Sequence, residues 1–191
     1  MTSKDSTNEA INQFINKFNS LDILICNVGS GRSAAPCTEN ISDWEKSISL
    51  NLLSATNPIS ASLNHLSKSK GVITCISSIC GERMIENAPL TYSSAKAALN
   101  RYIINSSYYL GKNNIRINAV SPGNVLFNGS ILEKKLLENK QAVLKMIKQK
   151  VPLNKFIDPK DISEAVAFLS SLISASTTGQ ILVVEGGQSL S

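Results

Sequence analysis

Apolar positions along the chain alternate between two rhythms, a helical stripe and a short unbroken run. Residues 5–18 carry Ile11, Phe14, Ile15 and Phe18 at helical spacing, with Ser6 or Thr7 as the expected cap and Glu9 in the first turn. Residues 21–26, Leu-Asp-Ile-Leu-Ile-Cys, follow as a nearly continuous apolar run of the kind buried in a parallel sheet. A second helical region spans 42–66, capped at Ser42 and carrying Trp44, Ile48, Leu52 and Leu53, with Pro58 as the expected kink. Residues 71–76 form the next apolar run, and a long helix occupies 91 to about 110, ended by Gly111 and Asn113. A third run, 115–120, is closed by Pro122 and Gly123. Residues 130–150 are amphipathic, a further helix starts at Asp158 and runs through Leu169, and the last strand covers 180–184. This alternation predicts one α/β domain over residues 1–191, a parallel sheet covered on both faces with its functional loops at the carboxyl ends of the strands.

Composition narrows the partners. Hydrophobic residues make up 42% of the 191 and charged residues 17%, the balance of a globular domain with a sizeable core. The net charge is +5, but the densest lysines, between Glu133 and Lys150, are mixed with acids at helical spacing. That reads as a solvated helix face rather than a nucleic-acid patch. No run reaches a membrane span, and the polar start Met1-Thr2-Ser3-Lys4-Asp5 is unlike a signal peptide, so a cytoplasmic chain is expected, with no membrane or nucleic-acid partner. Cys26, Cys37, Cys75 and Cys80 lack paired spacing, and His65 alone stands to join them, so reduced thiols and no metal site are expected. A sole histidine also argues against hydrolase schemes that set a base beside a nucleophile.

Tyr92 and Lys96 lie four residues apart in the long helix, a spacing that stacks their side chains on one face. A phenol is a poor acid near neutrality, with a pKa of ~10, and an adjacent ammonium is expected to lower it, making Tyr92 a candidate general acid or base.

Further motifs follow in a fixed order. They are Ile25-Cys26-Asn27-Val28-Gly29, then Asn51 in Ser49-Leu50-Asn51-Leu52, then Ile76-Ser77-Ser78-Ile79-Cys80-Gly81. After Tyr92 and Lys96 come Asn118-Ala119-Val120-Ser121-Pro122-Gly123, Thr177-Thr178-Gly179-Gln180 and Val184-Glu185-Gly186-Gly187. From about Leu21 onward this set resembles the short-chain dehydrogenase/reductase family, with Cys26 and Val28 as departures from its Asn-Asn-Ala-Gly turn. The resemblance implies a Rossmann-like doubly wound sheet and an NAD(P)-dependent oxidoreductase that moves a hydride between a nicotinamide and an alcohol or carbonyl substrate. It implies Asn51, Ser78, Tyr92 and Lys96 as the catalytic set: Ser78 polarises the substrate oxygen, Tyr92 moves the proton, and Asn51 holds a water linked to Lys96. Ser77 is the alternative hydroxyl, with the position of Gly81 favouring Ser78. Asn27, Gly29, Tyr92, Lys96, Pro122, Gly123 and Val125 are implied cofactor contacts for NAD or NADP. Phe127 replaces a cofactor-contacting threonine of many relatives, and residues 130–150 stand where the family has its substrate lid. A homodimer or homotetramer is implied as well. A lyase, epimerase or dehydratase on the same scaffold remains an alternative chemistry.

One part of the family's pattern has no counterpart. The family opens with a strand, a glycine-rich turn and a helix that receives a pyrophosphate. Here the first strand resembles the family's fourth, so two strand–helix units and a strand, ~60 or more residues, are unmatched. The expectation is an N-terminally truncated fold, doubtful cofactor binding by this chain, and an unprotected edge along residues 21–26. A catalytically impaired fragment acting as an interaction or oligomer subunit is the competing reading.

Overall fold

The computed structural model describes residues 3–190; Met1 and Thr2, the first of the polar start, lie outside them, as does Ser191. Strands β1 (Ile23–Cys26), β2 (Val72–Ile76), β3 (Arg116–Pro122) and β4 (Ile181–Val184) form one parallel sheet in the order β1-β2-β3-β4. The helices are α1 (Lys4–Phe18), α2 (Ile41–Ile48), α3 (Ser54–Ser69), α4 (Leu90–Gly111), α5 (Ile131–Glu138), α6 (Lys140–Lys150) and α7 (Pro159–Ser170).

Pleat alternation divides the strands between two faces. Cys26, Ile73, Cys75, Ile117 and Ala119 point to one face and form the core with Ile59 and Leu66 of α3 and Leu99 and Ile103 of α4. Ile15 of α1 packs at the margin of this cluster. The opposite face is covered by α7, where Thr74 shares a 2.9 Å hydrogen bond with Ser170. Arg116 donates to the carbonyls of Leu169 and Thr177 through Nη1 and to that of Ser171 through Nη2, satisfying orphan acceptors at and beyond the end of α7. Among the described residues β1 pairs only with β2, and α7 lies against β2, β3 and β4. Ile23 and Ile25, in register with Val72 and Thr74 on the α7 face, are 48% and 50% exposed. The unprotected edge expected for this strand is therefore present, while full burial of the run is not.

Several local expectations need correction. The cap of α1 is Ser3 rather than Ser6 or Thr7; Thr7 lies inside the first turn and its hydroxyl donates back to the Ser3 carbonyl at 2.8 Å. Asn40, not Ser42, caps α2, through a reciprocal box with Asp43. The irregularity in this region lies upstream of Pro58, in a widened π-type turn over Ser49–Leu53, and α3 continues through the proline. Residues 130–150 form two helices, broken at Asn139, whose side chain caps α6 by accepting from the Ala142 N–H.

Candidate active site

The carboxyl ends of β1, β2 and β3 open onto a cleft of about 1210 Å³. Its floor is built by α4 and the end of β2. Pro89 sets the start of α4, and the buried Thr91 hydroxyl shares a 2.6 Å bond with Ser33 of the loop after β1. Tyr92, Lys96 and Asn100 then follow at helical spacing on one face of α4. Across from them, the Ser77 N–H donates to the Val120 carbonyl at 2.8 Å, tying the end of β2 to β3. Ser78 is extended and caps the tight turn Ile79–Gly81, its hydroxyl accepting from the Cys80 N–H at 3.2 Å. The turn lies directly on α4: a Cβ on Gly81 would stand 2.7 Å from the Lys96 carbonyl carbon, so only glycine permits this approach.

The two serines are used differently. The Ser77 hydroxyl is buried and donates to Asn100 Oδ1. The Ser78 hydroxyl faces the cleft together with the Tyr92 phenol. Lys96, 3% exposed, donates from Nζ to the Ile76 carbonyl at 2.7 Å and lies 5.9 Å from the centroid of the Tyr92 ring.

The electrostatics correct the expected direction for Tyr92. Burial pushes the phenol above its ordinary value; the nearby Ser78 hydroxyl pulls it down and Cys80 adds a smaller upward push. Lys96 bears the desolvation cost itself: burial brings it down to about 8, partly opposed by Cys75. A half-neutralised ammonium near pH 8 is a weak depressor of a neighbouring phenol. Cys75 in turn is pushed up, chiefly by the neighbouring Cys26 thiol and by burial.

Asn51 is 1% exposed and sits in the widened turn behind the cleft. Its amide clamps the loop after β1, accepting from the Ser30 N–H at 2.9 Å and donating to the Ser30 carbonyl at 3.1 Å. Gly29 passes between Asn51 and Lys96; a Cβ there would stand 2.9 Å from Asn51 Oδ1 and 3.3 Å from Lys96 Nζ. Asn27, Gly29, Pro122, Gly123 and Val125 all line the cleft with Tyr92 and Lys96, whereas Asn51 does not. The Gly123 N–H donates to the Val184 carbonyl at 3.0 Å, and Val125 bridges to Ile157, so the segment after β3 is held at both ends.

Phe127 and residues of the 130–150 segment, the expected lid, line the cleft too, beside Met84, Ile85 and Glu86, which carry no sequence signal of their own. Met84, Ile85, Phe127, Ile131, Leu132 and Met146 form an apolar wall. Lys150 of α6 forms a 2.8 Å ion pair with Glu86 of the loop before α4. These groups come from separate segments whose proximity is purely tertiary.

The donor set fits the nicotinamide–ribose half of a dinucleotide. The buried Lys96 ammonium has three N–H donors, and among the described residues it has one acceptor, the Ile76 carbonyl. Gly29 leaves beside it the space that a side chain would fill. Among the described residues no glycine-rich turn opens a helix at the cleft to receive the phosphates.

A family model described as enoyl-(acyl carrier protein) reductase matches residues 1–189. The chain is 32% identical over 189 residues to a 3-oxoacyl-[acyl-carrier-protein] reductase FabG of Chlamydia trachomatis, covering 98% of this chain and 73% of the relative. It is 31% identical to a 7alpha-hydroxysteroid dehydrogenase of Escherichia coli K12, with 98% and 71% covered. Among solved structures, a 7 alpha-hydroxysteroid dehydrogenase complexed with NADH and 7-oxo glycochenodeoxycholic acid superposes with a TM-score of 0.87 at 30% identity, over 97% of this chain and 71% of the other. ElxO with NADP bound gives 0.88 at 28%, over 98% and 75%. With the ordered motifs and the parallel sheet, these matches show that the chain belongs to the short-chain dehydrogenase/reductase family.

Proposed function

We propose that this site carries out NAD(P)-dependent interconversion of an alcohol and a carbonyl compound, with Tyr92 as the proton donor and acceptor. The observation that carries the reading is the convergence of Ser78, Tyr92 and the buried Lys96 on one cleft floor. Ser78 donates to the substrate oxygen as negative charge develops there. Burial keeps the Tyr92 phenol protonated near neutral pH, the form that delivers a proton to that oxygen in the reducing direction. In the oxidising direction the phenolate accepts the proton of the substrate hydroxyl. Lys96 supplies N–H donors for ribose hydroxyls, while Asn27, Gly29, Pro122, Gly123 and Val125 form the walls of the nicotinamide pocket. When bound, the nicotinamide donates or accepts the hydride. Asn51 acts through the loop it clamps. Hydride transfer from NADH or NADPH to a panel of small ketones and aldehydes tests the reading, with Tyr92→Phe as the control. Turnover that persists in that variant would overturn it.

A second reading, a subunit that docks to other chains, is favoured by one observation, the bare apolar face of β1. A homodimer or homotetramer fits both readings, so hydride transfer separates them: self-association seen by sedimentation without turnover favours the second.

A further inference from the structure

We propose that Ser77 and Asn100 form a buried clamp that positions the Ser78 hydroxyl against the Tyr92 phenol; the inference rests on the catalytic reading of Ser78 and Tyr92 above. Both clamp residues are buried, at 3% and 6% exposure, and the Ser77 hydroxyl donates to Asn100 Oδ1. Asn100 lies one helical turn beyond Lys96 and two beyond Tyr92, on the same face. Ser77 therefore joins three elements: its backbone N–H is bound to β3 at Val120, its side chain to α4, and its peptide leads into Ser78. With the bond to β3 fixing the segment sideways, the clamp sets the height of Ser78 over α4.

Two features separate a positioning role from space filling. Asn100 Nδ2 has no hydrogen-bond partner among the described residues. A buried, unpaired amide donor is costly, and an apolar residue of similar size would fill the same volume without that cost. The only return visible for this amide is its bond to Ser77. A second polar tie between the segment and α4, Lys96 Nζ to the Ile76 carbonyl, is made by a group whose charge changes near pH 8 and whose remaining donors face the cleft. The Ser77–Asn100 bond involves no titrating group, so it holds Ser78 in place whichever acceptor Lys96 takes.

The test is the Tyr92 Cζ resonance of the full chain labelled with carbon-13 tyrosine, assigned by its loss in Tyr92→Phe. Ser78→Ala defines the position of that resonance when the serine hydroxyl is gone. We expect Ser77→Ala and Asn100→Leu to move it at least halfway to the Ser78→Ala position, and Ser77→Thr, which keeps the hydroxyl, to leave it in place. A folded Ser77→Ala with an unmoved resonance overturns the clamp, as does a Ser77→Thr that shifts as far as alanine. Ser77→Cys, close in volume and a weak hydrogen bonder, is measured in its place if the alanine variant does not fold. Hydride transfer assayed on the same proteins keeps the two readings apart. A wild-type chain without turnover but with the expected resonance pattern sinks the proposed reaction and leaves the clamp standing.

Discussion

The two sides of this sheet are finished to different degrees. Around α4, strands β2 and β3 are flanked by neighbours, capped by α7 and filled to zero exposure at Ile73, Cys75, Ile117 and Ala119. Ser77, Lys96 and Asn100 of the candidate site sit inside that packing, with Ser77 bonded to Asn100 and Lys96 to the Ile76 carbonyl. At β1 the same kind of apolar sequence ends in an open edge, with Ile23 and Ile25 about half exposed and Val28 at 47%. A run of aliphatic residues encodes a strand, but neighbours decide whether it is buried. The chemistry of Tyr92 and Lys96 depends on the finished side, because burial sets both of their proton affinities.

That contrast can be broken or sharpened by substitution. The largest effect is expected for Tyr92→Phe, which should lower hydride transfer by about 10²–10⁴-fold with an unchanged circular dichroism spectrum. Next, Gly81→Ala forces a Cβ against the Lys96 backbone and should destabilise the fold by about 3 kcal/mol in urea titration. A loss below half of that would show that the turn relaxes away from α4.

Lys96 gives the contrast a pH signature. Its folded pKa of about 8 lies below the ordinary 10.5, so the unfolded chain binds more protons between those values and stability rises with pH there. Tyr92 opposes this only as pH passes its ordinary value of 10, because its folded pKa is raised. The raised Cys75 and Cys80 thiols pull the other way as pH passes their ordinary 9.0, so the Lys96 contribution is read as a difference. Relative to Lys96→Met, the wild-type chain should gain about 2 kcal/mol from pH 8 to pH 10. The smallest effect on stability belongs to the open side. Ile25→Lys should change it by less than about 0.5 kcal/mol while raising the concentration at which the chain remains free of aggregates by light scattering. A large loss of stability in that variant would mean that β1 is covered in solution.

Much of this arrangement was legible in the order of residues. The apolar runs located all four strands to within two residues, and Tyr92 and Lys96 declared their shared face by spacing alone. Caps were less legible, since Ser3, Ser6 and Thr7 are all competent and the choice depends on where the chain enters α1. The break at Asn139 is hidden because helical apolar spacing continues across it. The upward shift of the Tyr92 phenol was illegible for a different reason. Sequence spacing places an ammonium nearby, but desolvation comes from the whole surrounding fold. The Ser77–Asn100 bond joins residues 23 positions apart through packing, with no local pattern to announce it.

The proposed reaction rests on proton transfer by Tyr92 from the α4 floor of the cleft. The most direct test is the loss of reduced-nicotinamide absorbance on mixing the purified 191-residue chain with a carbonyl panel, with NADH or NADPH raised until the rate saturates, beside Tyr92→Phe. Saturable turnover that disappears in the variant is the predicted result. A folded chain with no turnover, or with turnover indifferent to Tyr92, would contradict the account.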